Sequence, residues 1–189
     1  RLPDYDRNQQ QRSRSLELQR KIIQYTKKAD LQLQYKKTHF GVFLAKGGKK
    51  SMHAGYYFHI GTGNSSKYPQ AHMLASGNYC YDNKAVKILR EDISDEWETF
   101  STSILGKANS MFTPDMEGAL KRVPREYAPN APYADWMRMK AYCLTAQVDD
   151  NFLLDDNLAH RLAELFKNTK PFVDYINRAV DYVKEEMEV

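Results

Sequence analysis

The chain has 189 residues, 42% of them apolar and 12% aromatic, and carries a net charge of +4 at neutral pH. That length holds one domain with a proper core and leaves little room for a second. The apolar fraction is ordinary for a soluble globular protein, and no run approaches the roughly eighteen apolar residues that a membrane-spanning helix needs.

The charge is spread unevenly: residues 1–30 carry +4, residues 31–81 carry +6 and residues 82–189 carry −6. Between Leu31 and Tyr81 there is no Asp or Glu, yet six Lys and four of the five His fall there. Such a block attracts anions, phosphate included. The two cysteines, Cys80 and Cys143, lack CxxC or zinc-finger spacing and read as reduced thiols of a cytoplasmic protein. Because the sequence opens at Arg1 rather than Met, it reads as a piece of a longer chain, and the lack of a signal peptide carries little weight.

Residues 1–15 are polar and rich in Arg and Gln. From Ser15, a plausible N-cap, Leu16, Leu18, Ile22, Ile23 and Tyr25 form an imperfect helical stripe that runs to about Ala29. Residues 37–45 and 52–60 alternate apolar and polar side chains at period two, and Lys46-Gly47-Gly48-Lys49-Lys50 lies between them. That pattern predicts a β-hairpin closed by glycines at positive φ. A third strand is expected over Ala71–Tyr79, then a helix capped by Asp82 and a second helical piece over Asp95–Leu105. Leu120–Val123 and Ala141–Val148 read as two further strands. Two helices are expected to finish the chain, one over Asp156–Lys167 and one from Pro171, which suits a first helical turn.

The hairpin has two chemically different faces. Phe40, Val42, Leu44, Ala54, Tyr56, Phe58 and Ile60 make the core face; His39, Phe43, His53, Tyr57 and His59, with Gly41 and Gly55, make the other. If Ala45 opposes Ser51, then Gly41 opposes Gly55, His39 opposes Tyr57 and Lys37 opposes His59. Two facing glycines would leave a hollow in the sheet, rimmed by imidazoles, a phenol and a lysine that suit a phosphate or carboxylate. Lys37, His39, Gly41, His53, Gly55, Tyr57 and His59 are thus the candidate ligand-binding residues, with Lys46, Lys49 and Lys50 a basic surface at the hairpin tip. The plainer account is equally physical: half-buried sheet faces carry Tyr and His for packing, strand glycines mark bulges, and tip lysines guard an edge.

Other chemistries find less support. The His spacing includes no HxH or HxxxH pair and has no acidic ligand nearby, so no metal site is assigned, and no cofactor is implied. The glycines before Ser51 lack the spacing of a phosphate loop and precede a strand instead of a helix. A Ser–His–acid triad has no nucleophile elbow, and the acids lie elsewhere in the chain. Nucleic-acid binding gains from the lysines and Tyr56-Tyr57-Phe58 but lacks the Arg that usually leads phosphate recognition.

The same residues carry a resemblance. Lys37-Thr38-His39-Phe40-Gly41, Gly47-Gly48-Lys49-Lys50-Ser51 and Ala54-Gly55-Tyr56-Tyr57-Phe58-His59 are similar to segments of the uncharacterised bacterial proteins grouped as domain of unknown function 2461. Leu120-Lys121-Arg122-Val123-Pro124, Lys140 before an aromatic, Lys170-Pro171-Phe172 and Asn177-Arg178 follow in the same order, so the resemblance spans about Lys37 to Val180. Upstream it departs: Leu31-Gln32-Leu33-Gln34-Tyr35-Lys36 stands where members carry an Arg-rich strand and a Phe-Ser-x-Asp-Lys-x-Pro-Tyr stretch, as though residues near Gln34 were missing. The resemblance implies an α+β fold with a mixed or antiparallel sheet covered by helices, and no activity.

Together these readings predict one domain: residues 1–36 as an N-terminal helix and a poorly defined segment, and 37–189 as an α+β unit with a mixed or mainly antiparallel sheet that includes the 37–60 hairpin. The leading functional expectation is a cytoplasmic protein binding a small anionic, phosphate-containing molecule, with no membrane contact and oligomeric state unspecified. The alternatives are an enzyme using His39, His53 or His59 as acid or base on a phosphoester, and a module that holds an acidic protein through its lysines.

Overall fold

A computed structural model describes residues 39–48, 50–61, 71–79 and 82–187. The expected helix at 15–29, the rest of 1–36, Lys37 and Lys49 lie outside these residues. Five strands form one sheet: β1 (His39–Ala45), β2 (Gly55–Gly61), β3 (His72–Gly77), the two-residue β4 (Thr113–Pro114) and β5 (Cys143–Val148). Their order is β1-β2-β3-β5-β4 and every pairing is antiparallel. The fold is α+β, as expected, with the antiparallel alternative realised.

Alternation puts one row of side chains from four strands on the core face: Val42, Phe58, Leu74 and Ala146 are neighbours across the sheet, and all are buried. Helix α1 (Asn83–Asp95) starts where predicted, because Asp82 Oδ1 accepts hydrogen bonds from the backbone N–H of Lys84 and Ala85. The second helical piece begins as a short turn at Trp97–Thr99 and widens into a π-helical turn over Phe100–Ile104. Phe100 is thereby set edge-on to Trp136, with ring centroids 4.8 Å apart. Helix α2 (Ala134–Arg138) carries Trp136 and Met137 into the core, and α3 (Asp150–Leu153) is a single turn capped by Asp149.

The chain ends in α4 (Leu158–Met187), 30 residues long, where two helices were expected. Pro171 does not break it. A proline removes one helical hydrogen bond and strains a turn, but the apolar stripe runs straight across it. Leu162, Phe166, Thr169, Val173, Ile176, Val180 and Val183, spaced alternately three and four apart, are all buried. Packing on the sheet outweighs the local penalty. Thr169 also ties the helix to the sheet: its hydroxyl donates to the Phe166 carbonyl (2.9 Å) and accepts from Ser76 (2.7 Å), so two fully buried hydroxyls are satisfied.

The expected strand at Leu120–Val123 is absent. Leu120 instead donates its N–H to the Arg138 carbonyl and accepts from Arg138 Nε, a clamp onto α2 that leaves no partner strand to join. No helix among the described residues is long and apolar enough to cross a membrane.

Candidate functional site

The glycines at the hairpin tip behave as the sequence predicts, Gly47 and Gly48 taking φ of 77° and 80°. The register differs. Gly41 pairs with His59, Phe43 with Tyr57, Ala45 with Gly55 and His39 with Gly61, so Gly41 and Gly55 do not face each other. The connection runs from Lys46 to Ala54, longer than the five residues expected. Its last residue is tied outside the hairpin: Asn177 on α4 accepts from the Ala54 N–H (2.8 Å) and donates to the Ala54 carbonyl (3.3 Å). With Ala54 held in this way outside the ladder, β2 begins at Gly55, three residues later than expected. The slip is of an even number of residues, so each strand keeps its faces.

On the face away from α4, the hollow above Gly41 is filled. A Cβ at Gly41 would lie 2.5 Å from the Tyr57 hydroxyl and 2.8 Å from its ring, so the glycine is required because Tyr57 lies across it. The Tyr57 hydroxyl is 3.0 Å from His59 Nδ1, and the His59 ring stacks on His39 with centroids 5.3 Å apart and planes 16° apart. His39, Gly41, Tyr57 and His59 therefore form one cluster. His59 is buried within it, while His39 and Tyr57 are half-buried.

Beside this cluster the same face opens into a groove of about 310 Å³. Gly55, Ala75 and Gly77 lie along it, Phe43, Tyr57 and Tyr79 wall it, and Cys143 sits at its edge. Register explains the floor: Ala75 follows Phe43 and Tyr57 across one row, and Gly77 and Cys143 follow Gly55 across the next. The small residues leave the sheet surface bare between exposed aromatics, with Phe43 37% and Tyr79 50% accessible. The Tyr79 hydroxyl donates to Asp115 Oδ2 (3.0 Å), and burial, Cys143 and Asp115 together push its pKa up. Burial pushes the Cys143 thiol up to about 12, so it remains protonated at neutral pH and is no nucleophile.

His53 leaves this face. It belongs to the Lys46–Ala54 connection and points to α4, where its Nε2 is 2.6 Å from Asp181 Oδ1. The Ser51 Oγ lies 2.6 Å from Nδ1, and Lys184 Nζ reaches the same nitrogen at 3.3 Å. Lys46 Nζ holds the other Asp181 oxygen at 2.9 Å. The His53 hydrogen bond, then that of Lys46, keeps the Asp181 carboxyl below the usual carboxylate range. Asp181 and Lys184 were not singled out from the sequence, and Asn177 only as part of the family resemblance; nothing local marks them, since they are half-buried polar residues at the margin of an ordinary amphipathic helix.

A family model matches residues 32–175, a span that covers the whole sheet and most of the elements packed on it. The chain belongs to the DUF2461 family of conserved hypothetical proteins. No curated protein and no solved structure matches it.

In this DUF2461 chain the described basic residues of the hairpin tip differ in setting. Lys46 is paired to Asp181, Lys50 is exposed, and Lys37 and Lys49 lie outside the described residues. His72 is fixed separately, accepting from the Gly61 N–H at Nδ1 (3.1 Å) and donating from Nε2 to Asp150 (2.8 Å). Among the described residues no three His, Cys, Asp or Glu side chains converge as metal ligands would.

Proposed function

We propose that this DUF2461 protein binds a small anionic molecule carrying a flat ring, such as an aryl or nucleoside phosphate, on the sheet face away from α4. The observation that carries the reading is the groove over Gly55, Ala75 and Gly77, about 310 Å³ between Phe43, Tyr57 and Tyr79. That volume is at the lower end of ordinary ligand sites. Aromatic walls over a glycine and alanine floor fit a planar ring stacked on or between them.

Charge orients the ligand. Asp115, bonded to Tyr79, sets a negative charge at one end. The Tyr57–His59–His39 cluster lies on the other side of Tyr57, within a stretch of sequence that contains no acid at all. The anionic group therefore turns toward the histidines. A cytoplasmic setting, in which the buried Cys143 stays a thiol, fits the same reading.

A thermal-shift series tests it: nucleoside phosphates, aryl phosphates, sugar phosphates, inorganic phosphate and a short oligonucleotide, at low salt, on the wild type and on Phe43→Ala. The ring-bearing phosphates raise the melting temperature, inorganic phosphate alone raises it less, and Phe43→Ala removes the difference. No stabilisation by any of these anions overturns the proposal. Turnover of the phosphoester, or a response to the oligonucleotide alone, overturns it in favour of an enzyme or a nucleic-acid binder.

A further inference from the structure

We propose that Ser51 is an activated nucleophile that accepts acyl groups from carboxylic esters, with His53 as its base. Three roles converge in one small cluster. The Ser51 hydroxyl lies 2.6 Å from His53 Nδ1, within reach for proton transfer. Opposite it, His53 Nε2 is 2.6 Å from Asp181 Oδ1, which selects the tautomer with its proton on Nε2 and makes Nδ1 an acceptor, with Ser51 its shorter partner. Lys184 brings an ammonium to within 3.3 Å of the same nitrogen, a second and longer donor to that lone pair that must withdraw as Nδ1 takes the Ser51 proton. Lys46 fixes the second oxygen of Asp181 at 2.9 Å.

The ring nitrogens are used in the opposite sense from the familiar serine-hydrolase triad, but the relations of nucleophile, base and orienter are the same. His53 is buried and held at both ends, so its ring is oriented before any substrate arrives. Ser51 is only half-buried and precedes Met52, which is 41% accessible.

In the reaction Ser51 Oγ attacks the ester carbonyl carbon and its proton passes to His53 Nδ1. The resulting imidazolium is held by Asp181 on Nε2. Collapse of the tetrahedral adduct breaks the bond to the alkoxy group, which leaves with the proton from Nδ1. Water then attacks the acyl–serine by the same route, releasing the acid and restoring Ser51. No oxidant, reductant or metal is needed.

The proposal is independent of the groove, which lies on the other side of the sheet. Its test is covalent labelling of the full chain with a fluorophosphonate, the adduct mapped by peptide mass spectrometry, alongside hydrolysis of p-nitrophenyl acetate. The expected result is an adduct on Ser51, absent in Ser51→Ala, with ester hydrolysis lost in parallel. Asp181→Asn retains the shape of the site and slows labelling about a hundredfold, the lower end of what a positioned base contributes. A cooperative melt of each variant separates lost chemistry from lost folding. No adduct on Ser51 in folded wild type, or labelling no faster than at the exposed Ser103 and unchanged in Asp181→Asn, overturns it.

Discussion

His53 and Asp181 are 128 residues apart in sequence and 2.6 Å apart in the fold. One carboxylate therefore closes the long hairpin connection onto the last helix, taking His53 on one oxygen and Lys46 on the other. Asn177, one helical turn earlier on α4, clamps the backbone of Ala54 beside it. The same side chains hold the residues that lead directly into β2, whose first residue, Gly55, lines the groove.

Asp181→Asn tests how much that closure contributes. Removing the charge leaves a buried imidazole N–H facing a weaker acceptor, and the solvent exposure of the pair screens the loss, so the expected destabilisation is about 1–2 kcal/mol at neutral pH. The pH dependence has a definite sign. The folded pKa of Asp181 is depressed, so its charge contributes stability above the unfolded carboxylate value of about 3.9, and that contribution is lost as pH falls through the folded value. Urea melts of wild type and variant from neutral to strongly acidic pH show a gap carried by this charge that closes only at the acid end. A gap already closed at pH 6 rules this account out.

Much of the architecture is legible in the residues. Period-two alternation marks β1, β2 and β5 and assigns their faces, and Asp82 announces α1. What stays hidden is set at a distance. Ala54, just before β2, is held by Asn177, 123 residues away, and no turn rule applied to Lys46–Lys50 could include that contact. The Ser51–His53–Asp181 chain is hidden for the same reason: half of it is visible in Ser51-Met52-His53, while its acid lies on a different element. The groove was not foreseen either, because it follows from Gly55 standing beside Gly77 and Cys143 rather than opposite Gly41.

Gly41→Ala tests the packing of Tyr57 over the sheet. The added methyl would sit 2.5 Å from the phenol oxygen and 2.8 Å from the ring, so Tyr57 must swing aside and give up its contact with His59. Overpacking of this kind costs about 1–3 kcal/mol. In a Tyr57→Ala background the obstruction is gone, and the same substitution then costs under about 0.5 kcal/mol. Chemical denaturation of the four proteins in the cycle measures the coupling. Equal costs in the two backgrounds show that Tyr57 is not what makes Gly41 necessary.

Pro171→Ala tests whether packing alone carries α4 through its proline. Position 171 is exposed, in the middle of a 30-residue helix, so the substitution changes no core contact. It returns a backbone N–H to pair with the Lys167 carbonyl and relieves the ring's crowding of that turn. An interior proline costs roughly 3 kcal/mol relative to alanine, part of which the surrounding helix has already absorbed by adjusting its backbone. The expected gain is about 1–3 kcal/mol, or several degrees in Tm for a chain of this size. Pro171→Gly separates the two components, since glycine restores the hydrogen bond but adds freedom to the unfolded chain, and its gain is smaller by about 1 kcal/mol. If Pro171→Ala instead lowers Tm, the proline fixes a bend that seats Phe172 and Val173 against the core, and the helix is shaped by its proline rather than merely tolerant of it.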